Sequence, residues 1–305
     1  MKPYLIVAPH YDRRSGGIKS LHRLCHLLNV NGQTAYITGY GSPPDYNVKH
    51  PNTLSKQQLK ELQMDGIIVY PDYIVECNPL QFTHVVRWFL GITQNGLEGE
   101  LVFSYSKDHN FNNVQIYDNL MIIHIEDFFN IPQIENRTKK CFYVGKGTGT
   151  TMLPETGGCT QIHFGYPNTR EELAELFKTS TVFYTYDNLT ALTIEAVLCG
   201  CPVIILANTV TPKETIINNP FYKYGVGFYG DNIDINKLKQ ETLLGAELIR
   251  NTLLNGYTNE LRNFIEKTQN MKNEYKENLG PHYHSPHPWI NAGFFPDFFS
   301  LFKER

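Results

Sequence analysis

"YTYDNLTALTIEAVLCGCPVII", residues 184–205, runs from the end of a strand through a helix to a glycine turn and a second strand. Asp187 directly follows the apolar run "TVFYTY" (181–186). That places it at the carboxyl edge of a strand, where open α/β sheets bind ligands. Asn188 or Thr190 can cap the helix, whose first-turn N–H groups then face outward as an anion site. Glu195 follows eight residues after Asp187, among Leu192, Ile194, Ala196, Val197 and Leu198. A carboxylate in so apolar a helix costs burial energy unless it has partners. About one and a half turns into the helix, it can accept hydrogen bonds from two ribose hydroxyls, as an acidic residue does in dinucleotide sites. The plainer reading makes Asp187 a cap and Glu195 a solvated helix residue.

The same rhythm extends in both directions. Upstream, "YLIVAP" (4–9), "TAYITG" (34–39), "GIIVYP" (66–71), "LVFSYS" (101–106) and "MIIHI" (121–125) read as strands. "IKSLHRLCHLLNVNG" (18–32) reads as a helix with Ile18, Leu21, Leu24, Leu27 and Leu28 on one face, stopped by Asn31 and Gly32. "NPLQFTHVVRWFLG" (78–91) reads as another, with Pro79 in its first turn. After the polar "NRTKK" (136–140) the pattern restarts: strand "CFYVG" (141–145), helix "TREELAELFKTS" (169–180), then the opening stretch and strand "VGFYG" (226–230). Helices are expected over 236–253 and 257–275. Apolar strands spaced by helices indicate parallel sheets. The fold class expected is therefore α/β, two Rossmann-like domains with a ligand cleft between them. The N-terminal domain would span 1–135, the C-terminal domain 136–275 and an aromatic tail 276–305, packed back on the first domain.

A chain of 305 residues suits two such domains. A net charge of −3 argues against nucleic acid as a partner. The opening "MKPYLIVAPHYDRR" lacks the apolar length and cleavage site of a signal peptide, and no stretch is long enough to cross a bilayer. The six cysteines form no CxxC pair, so a reduced, cytoplasmic protein is expected.

The 187–205 stretch resembles the donor-site segment of GT-B glycosyltransferases, two-Rossmann-domain enzymes that use nucleotide sugars. It is most similar to the retaining group (family 4-like, or group 1), with an acidic residue, seven positions, a glutamate and a glycine-x-proline-valine turn. The resemblance implies that Glu195 holds the ribose and that Asp187, where the family usually has glutamate, touches the donor sugar. It also implies that the amides of Thr190 and Ala191 meet the diphosphate. "YVGKGTGTT" (143–151) resembles the family's first loop of the donor domain, where Lys146, flanked by Gly145 and Gly147, would neutralise the leaving diphosphate. It is not a Walker A loop, because the lysine precedes the glycine run. "HYDRRSGGIKSLHRL" (10–24) places Gly16 and Gly17 where the family's glycine pair admits acceptor and donor phosphate. "YPDYIVECNPLQFTHVVRWFLG" (70–91) resembles a supporting segment of bacterial members.

Histidines add candidates. His10 and His124 end strands of the first domain, and His10 or Asp12 is the candidate base should the enzyme invert. The resemblance implies no catalytic metal and no cofactor beyond the nucleotide-sugar substrate; His282, His284 and His287 have metal-like spacing in a proline-rich setting. The expected partners are a nucleotide-sugar donor and a glycan or glycolipid acceptor, with peripheral contact at the inner face of a membrane as an option for the aromatic tail and the assembly state left open. The rivals are a sugar-nucleotide epimerase on the same scaffold and a non-catalytic glycan- or partner-binding protein.

Overall fold

The computed structural model describes residues 1–74, 78–91, 101–105, 116–132, 136–147, 149–206, 213–217, 219–253 and 257–271. Among them the strands are β1 (Tyr4–Ile6), β2 (Ala35–Ile37), β3 (Ile67–Pro71), β4 (His84–Phe89), β5 (Leu101–Ser104), β6 (Asp118–Asn119), β7 (Lys139–Tyr143), β8 (Thr160–Ile162), β9 (Ser180–Thr185), β10 (Val203–Ile205) and β11 (Val226–Phe228). The helices are α1 (Gly16–Val30), α2 (Lys56–Asp65), α3 (Arg170–Thr179), α4 (Ala191–Leu198), α5 (Lys213–Ile216), α6 (Ile235–Asn251) and α7 (Tyr257–Gln269). Met1–His124 and α7 form one unit; Ile125–Gly256 form the other. No helix among the described residues is long and apolar enough to cross a membrane.

The first unit is built on a six-stranded sheet in the order β2-β1-β3-β4-β5-β6, the second on a five-stranded sheet in the order β11-β10-β9-β7-β8. Among the described residues every pairing between these strands is parallel. α1 forms as its periodicity requires: Ser15 caps it by accepting the Ile18 N–H, and Leu21, Leu24, Cys25, Leu27 and Leu28 are buried. Each such leucine contributes about 1.5–3 kcal/mol on burial. The helix ends at Asn31, and Gly32 takes φ +78°.

Three expectations are corrected. Residues 78–91 hold no helix: His84–Phe89 is β4, buried on both faces. A strand covered on both sides shows no polar alternation, so its periodicity cannot separate it from a buried helix. Residues 121–125 are not a strand either; the pairing stops at β6. Side chains there take the place of a ladder. Trp88 Nε1 donates to the Leu120 carbonyl at 3.1 Å, and Glu260 Oε2 accepts the Met121 N–H at 2.5 Å.

The third correction concerns α7, which was expected in the second domain. Its Leu261 and Phe264 join the core of the first unit with Tyr4, Leu24 and Phe103. The Phe264 ring lies 4.8 Å from that of Phe103, edge to face, and Tyr4 Oη and Thr268 Oγ1 are 2.7 Å apart. An amphipathic pattern says that one face will be buried but not against which sheet. The first unit therefore runs to His124 rather than to 135, and it takes back α7. The tail 276–305 lies outside the described residues.

Candidate functional site

In the second sheet β8 lies on one side of β7 and β9 on the other. The carboxyl ends of β7 and β9 thus form a switch point, where open parallel sheets bind ligands. The chain leaving β7 makes a 3-10 turn over Gly145–Gly147. Gly145 has φ +50°, and a Cβ on it would lie 2.5 Å from Asp187 Oδ2. A Cβ on Gly147 would lie 2.6 Å from the Tyr186 carbonyl oxygen. The absence of side chains at both positions lets this turn rest directly on the end of β9. Gly145, Gly147 and Asp187 are therefore brought together, and Lys146 stands in the chain between the two glycines.

Asp187 is buried. Its Oδ1 accepts the Leu189 N–H at 3.0 Å, and its own N–H donates to Thr185 Oγ1 at 3.0 Å. The Thr185 hydroxyl in turn donates to the Asp187 carbonyl at 2.8 Å. Asp187 thus opens an Asx turn and does not cap α4. Thr190 does, accepting the Leu192 N–H at 3.3 Å. Asn188, the other candidate cap, is buried, and its carbonyl accepts from Tyr222 Oη at 2.8 Å. Burial, followed by the charge of Asp187, raises the Tyr143 hydroxyl pKa above its ordinary value. α4 begins at Ala191 with no acidic side chain in its first turn, and Thr190 and Ala191 are half-buried there.

Glu195 is 2% exposed. The partner that its apolar helix demands is Arg170, whose Nη2 donates to Glu195 Oε1. Arg170 is also buried, at the first position of α3. The same guanidinium reaches Glu126 with Nε to Oε1 at 3.4 Å and Nη2 to Oε2 at 3.3 Å. It lies 4.7 Å over the Phe129 ring. Burial lowers the Arg170 pKa, but the charges and hydrogen bonds of Glu195 and Glu126 outweigh that and raise it above its usual value. Arg170 and Glu126 were missed in the sequence. The available signal was a basic residue in the first turn of a helix, against the dipole.

α3 depends on a reciprocal cap: Glu172 N–H donates to Thr169 Oγ1 at 3.1 Å, and Thr169 N–H to Glu172 Oε2 at 3.4 Å. Thr169→Ala is expected to lower stability by about 1 kcal/mol. Urea unfolding measures it, and an unchanged midpoint would show that the cap carries no weight.

In the first unit, His10 is exposed, and its Nδ1 accepts the Tyr40 N–H at 3.1 Å while its ring lies 5.5 Å from that of Tyr40. Asp12 accepts the Arg14 N–H at 2.8 Å. Gly16 and Gly17 open α1, and a Cβ on Gly17 would meet only Leu90 at 3.6 Å, an ordinary contact. His124 Nδ1 accepts from Arg23 Nη1 at 3.2 Å, and Tyr46 meets its ring edge-on. Among the described residues no three His, Cys, Asp or Glu side chains form a metal-binding group. His282, His284 and His287 lie outside those residues.

No family model and no curated protein matches the sequence. Solved structures do match. WaaG, a glycosyltransferase involved in lipopolysaccharide biosynthesis, aligns with 88% of this chain and 100% of its own at 10% identity, with a TM-score of 0.51. A glycosyltransferase from Rickettsia africae aligns with 88% of this chain and 98% of its own at 14% identity and a TM-score of 0.49. A T4 phage BGT mutant in complex with UDP-glucose aligns with 89% and 100% at 12% identity and 0.49. At such identity the likeness to WaaG is one of fold. The chain has the α/β GT-B fold, two Rossmann-like units, that the residues of 187–205 resembled.

Proposed function

We propose that the chain is a glycosyltransferase that moves a sugar from a nucleoside-diphosphate sugar to a hydroxyl of a glycan or glycolipid. In this reading it works at the cytoplasmic side of a membrane in surface-glycan synthesis, with retention of configuration and without a catalytic metal. One observation carries the reading: the glycine turn 145–147 rests on Asp187 at the switch point of a Rossmann-like sheet, three residues before the cap of α4. A helix start held there suits a diphosphate. Lys146 would neutralise charge on the departing diphosphate. Asp187 orients the donor sugar, and Glu195 accepts from ribose hydroxyls. The leaving phosphate oxygen takes the acceptor proton.

Thermal unfolding with UDP, GDP, ADP, CMP and dTDP tests the donor half of this reading. One of them, at a hundred times its dissociation constant, is expected to add about 2.7 kcal/mol. No shift with any of the five overturns the proposal. An Asp187→Ala chain that transfers sugar at the full rate removes Asp187 from the mechanism. A second reading, a non-catalytic binding protein, is favoured by the burial of Asp187 and the commitment of its Oδ1 to Leu189. Nucleotide binding without turnover on any acceptor would support it.

A further inference from the structure

We infer that Arg170 and Glu126 are positioning residues for Glu195 and set the preference of the donor site for ribonucleotides over 2′-deoxyribonucleotides. The inference rests on the donor reading above and extends it to two side chains that meet no ligand themselves.

The geometry is that of a clamp. Glu126 grips one edge of the Arg170 guanidinium with both oxygens, and the Phe129 ring lies against the plane. A guanidinium fixed in plane and on one edge has a single direction left for Nη2, and there it meets Glu195 Oε1. Side-chain exposures are 7% for Arg170, 9% for Glu126 and 2% for Glu195, so these bonds are largely shielded from solvent. The result is a Glu195 carboxylate held in one orientation. An ionised carboxylate only accepts hydrogen bonds, so it complements hydroxyl donors such as those of ribose. A site built to bond a hydroxyl discriminates strongly against the analogue that lacks it. A carboxylate free to turn would follow whichever donor remained and discriminate less. Three elements supply the clamp: the start of α3, the middle of α4 and the segment that opens the second unit at Ile125. Only Glu195 needs to touch the nucleotide.

The test is equilibrium binding by calorimetry of UDP, GDP, ADP and CMP, each against its 2′-deoxy counterpart. The proteins are the wild-type chain, Glu195→Gln, Glu126→Gln and Arg170→Lys, each checked for native circular dichroism. For the nucleotide that binds, wild type is expected to favour the ribo form about 10-fold or more. Glu195→Gln is expected to abolish the preference. Glu126→Gln keeps a side chain of the same shape and is expected to reduce the preference several-fold, with the deoxy affinity unchanged. A merely structural role for Glu126 would weaken both forms equally, or neither. If Glu195→Gln loses the preference while Glu126→Gln and Arg170→Lys retain the wild-type ratio, the clamp is overturned and the donor reading stands. If wild type binds none of the four nucleotides, or binds ribo and deoxy forms equally, the ribose role of Glu195 fails first and takes the clamp with it. Should Arg170→Lys not fold, Glu126→Gln alone decides.

Discussion

Arg170→Met is expected to destabilise the second unit by about 3–5 kcal/mol, the scale seen when one partner of a buried ion pair is removed. Its side chain is 7% exposed and stands between Glu126 and Glu195. Without it two carboxylates face one another with little exposure to solvent. Pairing the change with Glu195→Gln removes one of those charges, so the double variant is expected to fall well short of the sum of the two single losses. Urea unfolding of the four proteins completes the cycle. A loss below about 1 kcal/mol for Arg170→Met would place the pair in water and undo the structural account of Glu195.

The second large effect lies in the first unit. His22 is fully buried, with Nε2 donating to the Pro9 carbonyl at 2.9 Å and Nδ1 accepting from Ser42 Oγ at 2.6 Å. Both bonds suit the neutral ring. Burial above all, with smaller contributions from His50 and His10, lowers its pKa from 6.5 to about 4. The unfolded chain therefore takes up a proton near pH 6.5, and the folded chain only near pH 4. Between those values the unfolded state binds more protons, so stability falls as pH drops from 6.5 to 4 and this group adds no further loss below. The depression corresponds to about 3 kcal/mol. Urea midpoints from pH 7 to pH 4 for wild type and His22→Gln measure it. The wild-type slope should exceed that of the variant across this window, and parallel slopes would assign the acid sensitivity elsewhere.

Much of the scaffold was legible because local pattern and tertiary role agree in it. α1, α3, β9 and the turn at Gly200 follow from apolar spacing, caps and glycine placement within a dozen residues of chain. β4 was misread because burial on both faces erases the alternation that marks a strand. α2 and β8 went unremarked: α2 buries only Leu59 and Leu62, and β8 is three residues long. At the site, the sequence located Asp187, Glu195 and the glycines at 145 and 147. It did not supply Arg170, 25 positions from Glu195, or Glu126, 44 positions from Arg170. Ion pairs closed across such distances leave no periodic trace. The cap was legible only as a choice between Asn188 and Thr190, and hydrogen bonding at Asp187 and Tyr222 decides it.

The path of the chain has a consequence for biosynthesis. The second unit is one unbroken run, Ile125–Gly256, whereas the first unit needs Leu261 and Phe264 of α7 against Tyr4 and Phe103. Domains generally complete themselves in the order of synthesis. Here the later-made unit can close its core while the earlier one waits, its sheet lacking a covering helix. During that interval Tyr4, Leu24 and Phe103 belong to an unfinished surface on the nascent chain, and a ribosome stalled before residue 257 would display it.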